Sequence, residues 1–218
     1  MARTFEIVYP MVELVEQVNE QDRVVGIVDR GEAIRERWLH RVATTVCRDA
    51  DGRILVHRRP DDASRFPGQF NWMLGGAVDV GESYEEAAAR ELAEELGVHV
   101  EPRFVLKFLC DGAISPYWLG LHEVVITTQV QPDPREVAWS DWLTEPELED
   151  LVRHQGFIPD AREAFDRYRA LGTPSAAASP SRPAPGNQPQ VRGRITGADL
   201  SPRWGRQTSA DGKPPHRR

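Results

Sequence analysis

Three glutamates, Glu91, Glu94 and Glu95, follow one another at helical spacing. Residues at i, i+3 and i+4 share a helix face, so these carboxylates fall within about 100° of one another. Like charges that close destabilise a bare helix by a few tenths of a kcal/mol per pair. A hard, oxygen-seeking cation such as Mg²⁺, or Mn²⁺ in its place, would reverse that penalty. The glutamates sit in a longer pattern. Gly76 is followed after five residues by Glu82, and after seven more by Arg90-Glu91-Leu92. One further residue leads to Glu94-Glu95 and one more to Gly97-Val98. Gly75 and Gly76 have no Cβ, so backbone can approach an ion or an anionic group closely there.

The elements that must hold these residues can be read from pattern. Ser83 and Glu86 have capping-box spacing, so the carboxylate helix starts there. Ala88, Leu92 and Leu96 form its apolar stripe and Gly97 closes it. Glu86 and Arg90 stand at i, i+4, which also suits an ordinary surface ion pair on a solvated face. Upstream, Glu13–Val18 and Val24–Asp29 read as a hairpin across a polar loop, and Gly31–Trp38 as a short helical or irregular link. Arg41–Arg48 and Arg53–Arg59 read as strands around a turn at 49–52. Asp61–Gln69 reads as a loop over the site, and Phe70–Leu74 as the strand entering the pattern. Downstream, Arg103–Leu109, Trp118–Val130 and Glu136–Leu143 read as strands. Thr144 to about His154 forms one helix, and Ala161–Leu171, capped at Asp160, forms another.

The 218 residues suit one domain with extras, and 40% hydrophobic content with six Trp supplies a core. Net charge is −7, unevenly spread: residues 173–218 hold eight Arg or Lys against two Asp, which leaves the first 172 at about −13. An acidic body argues against a nucleic-acid partner, which needs a basic face. No apolar run approaches the ~18 residues of a membrane span, and no signal-peptide core is present. The expected setting is the cytoplasm. Cys47 and Cys110 lie in apolar runs and read as small buried hydrophobes. From Thr173 onward Pro, Gly, Ser and Ala dominate, the composition of a disordered tail. The expected organisation is an extension with a hairpin over 1–36, a catalytic domain over 37–172 and the tail over 173–218.

The run from Gly76 to Val98 resembles the signature of the Nudix hydrolases, G-x5-E-x7-R-E-U-x-E-E-x-G-U with U apolar, and meets every fixed position. The resemblance implies an α/β/α sandwich with a mixed β-sheet, here carrying the N-terminal hairpin extension. It also implies cleavage of a diphosphate in a small-molecule substrate, a nucleoside diphosphate linked to another moiety X. Such a bond is protected by its own negative charge. Hydrolysis needs that charge neutralised, a water deprotonated and the two held in line. The family's metal ligands carry over to Gly76, through its carbonyl, and to Glu94 and Glu95, with Glu91 as a third carboxylate. Glu91 or a loop carboxylate would serve as base. Arg90 resembles the arginine that fixes a box glutamate, with Glu82 as its partner or as a further ligand.

Outside the box, Glu123 is a candidate additional carboxylate on its strand and Glu136 a candidate base. Arg58 and Arg59 are candidates for phosphate contact. His40, His57, His99, His122 and His154 have no ligand spacing and read as structural. Trp72 and Trp118 could stack on a base, with core packing the default. Residues 12–171 also resemble the branch related to isopentenyl diphosphate isomerases, through Val18-Asn19-Glu20-Gln21-Asp22, Gly26, Leu39-His40-Arg41, Arg58-Arg59, Pro67-Gly68 and Gly75-Gly76. Where those isomerases carry a catalytic cysteine and two histidine ligands, this chain has Leu74, Gly76 and Ala33. Leu transfers no proton and Ala binds no metal, so isomerase activity is not expected. A nucleotide-binding module without turnover is the other alternative, although such modules usually lack a box glutamate. Oligomeric state is open. A chain ending at Gly172 should keep its melting temperature and hydrolytic rate; a loss of several degrees in a thermal melt would show that the tail supports the fold.

Overall fold

The computed structural model describes residues 12–172 except residue 155. The expected disordered tail lies outside the described residues, as does the side chain of His154. The hairpin forms as read: β1 (Leu14–Val18) and β2 (Val24–Asp29) make a two-stranded antiparallel sheet. The link after it is a helix, α1 (Arg30–Arg35), capped by the Asp29 carboxylate accepting from Glu32 N at 2.9 Å.

A seven-stranded mixed sheet follows, with β5 (Phe70–Asn71), β4 (Ile54–Arg58), β3 (Arg41–Arg48), β8 (Tyr117–Val125) and β7 (Arg103–Cys110) in that order. β6 (Leu74–Ala77) pairs with β3, and β9 (Trp139–Leu143) pairs with β4. β3 and β8 run parallel and the other pairs antiparallel. Both faces are covered, so the central strands are apolar at successive positions. Cys47, Leu55, Leu74 and Val124 pack with Leu92 and Leu96 of α2 (Tyr84–Leu96). Their neighbours Val46, Ile54, Val56, Leu119 and Leu121 pack on the other face, with Leu148 and Val152 of α3 (Glu145–His154) and Ala161, Ala164 and Phe165 of α4 (Pro159–Ala170). The described residues form an α/β/α sandwich.

Four local readings are corrected. The strand expected over Phe70–Leu74 is interrupted, because the Asn71 side chain accepts from Met73 N and turns the chain between β5 and β6. β8 ends at Val125 rather than Val130. Beyond it the backbone of Gln131 and Asp133 donates to the carbonyls of Leu96 and Glu95, which the end of α2 leaves without helical partners. β9 starts at Trp139 rather than Glu136. Asp160 does not cap α4; Ile158 holds that position without a side-chain bond, and Pro159 opens the helix.

The hairpin is tied to the sandwich by charge and by packing. Asp22 is almost fully buried. It accepts from Arg41 Nε at 2.6 Å and from Tyr84 Oη at 3.2 Å, and it pairs with Lys107. Arg41 also reaches Glu16 at 2.8 Å. Burial acts against the Asp22 charge, but Lys107 and Arg41 together hold its pKa below the usual carboxylate range. Val15 and Ala33 pack against Ala77 of β6, so the position where an isomerase would carry a histidine is a filled core site.

β6 approaches β3 so closely that a Cβ on Gly75, whose φ is +141°, would lie 2.1 Å from the Ala43 carbonyl oxygen. Gly75→Ala should therefore force the two strands apart, adding to a backbone strain of about 1–3 kcal/mol. A fall of at least several degrees in the thermal melt is expected, and an unchanged melt would contradict this packing.

Candidate active site

Two caps fix the carboxylate helix. At its start Ser83 and Glu86 form the reciprocal capping box, Ser83 Oγ accepting from Glu86 N and Glu86 Oε2 from Ser83 N. At its end Gly97 is left-handed, with φ 66°, and its N–H donates to Ala93 O. Glu86 is thus committed to the cap, and Arg90 turns elsewhere. Its Nε donates to Glu82 Oε1 at 2.9 Å and its Nη2 to Glu82 Oε2 and to the Ala77 carbonyl, both at 3.0 Å. Its Nη1 reaches Glu91 Oε1 at 2.8 Å and Glu94 Oε2 at 3.5 Å. The guanidinium partly neutralises the carboxylate cluster and sets its rotamers. Arg90 in turn holds Glu82 below the usual carboxylate pKa.

These side chains meet a cavity of about 700 Å³ whose wall includes Gly75, Gly76, Glu91, Glu94 and Glu95. A Cβ on Gly76 would lie 2.5 Å from Glu91 Oε1, so any larger residue there would displace that carboxylate from its position. Burial, and then the charges of Glu91 and Glu136, push the Glu95 pKa up to about 8, with Gly75 N–H and Arg59 opposing. Burial also raises Glu91, against the pull of Arg90. Among the described residues no three carboxylate, imidazole or thiol groups already converge on one point. Arg90 accounts for this by drawing Glu91 and Glu94 to itself. The donor set is all oxygen, and the elevated proton affinity of Glu95 marks a place short of positive charge. Those features fit a hard divalent cation.

The remaining candidates divide. Arg59 and Glu136 both line the cavity and pair at 3.4 Å. Arg58 does not line it; β-strand alternation turns Arg58 away, onto Asp61. Glu82 holds Arg90 with both oxygens, the partner role expected of it. Glu123 is a correction, because its side chain lies on the α4 face of the sheet. There it accepts from Arg48 at 2.6 Å, Arg103 at 2.9 Å and Tyr168 at 2.9 Å, and Tyr168 and Arg48 hold it ionised. Trp72 is core, its Nε1 donating to Ala161 O at 2.7 Å. Trp118 donates to Asn19 O at 3.1 Å. Cys47 and Cys110 are free and buried. His57 and His122 are buried and His99 is exposed.

The sequence reading missed part of the wall. Arg30 and Arg65 line the cavity beside Arg59, as do Tyr117 and Asp160, and His40 belongs to it as well as to the core. Arg65 has no carboxylate within ion-pair distance among the described residues. Burial and then Arg30 weaken its hold on its proton. These residues come from a hairpin end, a loop, two strand starts and a helix start, and no sequence spacing links them.

A glutamate-lined cavity at one helix of an α/β/α sandwich, with an arginine set beside it, suits a hydrolase that acts on an anionic substrate. A NUDIX domain model matches residues 38–168. An uncharacterized Nudix hydrolase of Streptomyces coelicolor is 42% identical over 161 residues, covering 72% of this chain and 89% of its own. A prenyl-diphosphate phosphatase of Methanosarcina mazei is 27% identical over 158 residues, covering 70% of this chain and 92% of its own. A crystal structure from Deinococcus radiodurans superposes with TM-score 0.62 at 30% identity, covering 71% of this chain and 98% of that one. The chain belongs to the Nudix hydrolase family, and its reaction is hydrolysis of a diphosphate bond. No helix among the described residues is long and apolar enough to cross a membrane.

The Glu95 shift predicts a pH dependence of the metal-free fold. Between its unfolded pKa, 4.5, and about 8 the folded state binds the extra proton, so stability falls as pH rises. Burial depresses His40 to about 4 and His57 to about 3, which acts the opposite way up to their ordinary 6.5. The fall should therefore show between about pH 6.5 and 8. Thermal melts in chelator should decline over that window, flatten in Glu95→Gln and flatten on adding Mg²⁺. A flat wild-type profile would contradict the assignment.

Proposed function

We propose that this chain is a Mg²⁺-dependent hydrolase of a nucleoside diphosphate linked to another moiety X. The observation that carries this reading is the complete set Gly76, Glu91, Glu94 and Glu95 on the wall of one cavity that also presents Arg30, Arg59 and Arg65. Glu94 and Glu95, with Glu91 and the Gly76 carbonyl, would hold the ion. The ion, when bound, would neutralise phosphate oxygens and acidify a water. The three arginines would take the remaining phosphate charge and set the diphosphate in line. Glu136 is the better candidate for base, because its pairing with Arg59 at 3.4 Å is looser and more exposed than the 2.8 Å bond that holds Glu91 to Arg90.

The non-catalytic and isomerase alternatives are less well supported. No box carboxylate is missing, Leu74 stands where proton transfer needs a cysteine, and Ala33 is buried in packing. Free Cys47 and Cys110 and the acidic body are consistent with a cytoplasmic setting.

Glu94→Gln and Glu95→Gln keep size and hydrogen bonding but remove the charge that would hold the ion. Each should lower the Mg²⁺-dependent rate by roughly 10²–10⁴-fold, the scale of several kcal/mol of transition-state stabilisation. Glu86→Gln should be nearly silent, since a glutamine also completes a capping box. Steady-state phosphate release over a panel of diphosphate substrates checks this; near-normal rates in both variants would remove the box from the active site.

A further inference from the structure

β2 is the outer strand of the hairpin. β1 faces the sandwich, with Val18 N donating to Leu39 O and Val15 bridging to Asp79, whereas no described residue pairs with the far side of β2. Arg30 N donates to Glu13 O at 2.8 Å, so the alternation of an antiparallel ladder turns the backbone of Val28 and Gly26 toward β1 and that of Ile27 outward. The side chains along this edge are apolar and open: Val24 is 49% exposed, Val25 59% and Ile27 58%. An open apolar edge is a template for another strand, and folded proteins usually guard one with charge. β7, an edge of the large sheet, is guarded in this way by Arg103 and Lys107 and has no acid. The charges that flank β2 are instead one of each sign. Arg23 is exposed at the turn and Asp29 ends the strand. Neither has an ion-pair partner among the described residues, although one Asp29 oxygen caps α1.

The edge is complementary to itself about Gly26. When Gly26 lies opposite its own copy in an antiparallel pair, Val25 meets Ile27 of the partner, Val24 meets Val28 and Arg23 meets Asp29, each twice. The neighbouring registers lack this match. Ile27 faces out, so only residues an even number of positions from it can pair with its copy's outward groups. A register centred on Val25 sets Arg23 against Ile27, and one centred on Ile27 sets Val25 against Asp29. Gly26 also has no side chain to obstruct the approach of a non-hydrogen-bonded pair, about 4.5 Å between Cα atoms. We propose that β2 pairs antiparallel with β2 of a second copy of this chain, about a twofold axis at Gly26, so that the two hairpins form one four-stranded sheet. Backbone bonds and the valine and isoleucine contacts hold the pair, and the two Arg23–Asp29 contacts select its register. The same surface is used on both copies, so assembly closes at two. The bulge beside Val18 shortens the regular ladder, and a micromolar rather than a nanomolar dimer is expected. The pairing is independent of the reaction at the cavity.

Sedimentation equilibrium of the full chain, at low salt, tests this. The wild type should dimerise at micromolar concentration. Arg23→Glu sets like charges against each other across the axis, and Ile27→Lys sets a charge against Val25 of the partner. Each should raise the dimer dissociation constant at least tenfold while circular dichroism shows the fold intact. Asp29→Lys should weaken its own dimer in the same way. An equimolar mixture of Arg23→Glu and Asp29→Lys should dimerise again, because the mixed pair has opposite charges at both contacts. Should loss of the α1 cap unfold Asp29→Lys, a mixture of Val25→Glu and Ile27→Lys makes the same rescue without touching the cap. A wild type that stays monomeric would overturn the proposal and leave the edge to residues 1–11 or to another protein. A dimer that neither Arg23→Glu nor Ile27→Lys weakens would also overturn it, as would mixtures no tighter than their components.

Discussion

Confinement of like charge is the constraint around which this molecule is arranged. Glu91, Glu94 and Glu95 are held within one helix turn, and neither solvent nor a facing basic surface relieves all three. Arg90 relieves part of the repulsion, and Glu82 and the Ala77 carbonyl fix Arg90 in place. Burial first, and then what remains of the repulsion, raises the proton affinity of Glu95 and Glu91. A proton, a guanidinium and a divalent cation compete for the same negative charge, and the cation brings the most charge to it. The helix can hold such a cluster because its other stripe, Ala87, Ala88, Leu92 and Leu96, is fully buried. At about 1.5–3 kcal/mol for each large apolar side chain, that burial exceeds the few tenths that each like-charge pair costs.

Glycine does different work at three points around that cluster. Gly75 lets β6 lie against the Ala43 carbonyl, Gly76 leaves space for the Glu91 carboxylate, and Gly97 ends the helix in the left-handed region. The loop after β8 then crosses the helix end and pairs with its last carbonyls, and in doing so it brings Asp133, Arg135 and Glu136 to the cavity. A helix terminus that needs partners thus recruits the loop that supplies a candidate base. The hairpin contributes in a similar way. The Asp22–Arg41–Lys107 group docks it on the sheet, and Arg30, the first residue of α1 after that hairpin, joins the wall of the cavity.

Much of this could be read along the chain. The capping box, the apolar stripe, the glycine stop and the glutamate face all depend on contacts no more than eight residues apart, so spacing determines them. The hairpin and the burial of the two cysteines could also be read from local pattern, whereas the sandwich came from the family resemblance. Errors fell where a distant partner decided the outcome. Asp160 has the spacing of an N-cap, yet Tyr117 and Ala113 from another part of the chain take its carboxylate. Glu123 has the character of a site carboxylate, but strand alternation turns it toward Arg48 and Tyr168 on the opposite face.

By itself, then, the sequence determined the helix, its charge, its ends and the family of reaction, because each rests on local geometry and on residue types at set intervals. Tertiary structure alone decided which side chains share the cavity. Arg30, His40, Arg65, Tyr117 and Asp160 are up to 130 residues apart in the chain and meet only because strand pairing and helix docking bring their backbones together. No period in the sequence records such a meeting, since its cause is the packing of whole elements rather than the preference of any one of them.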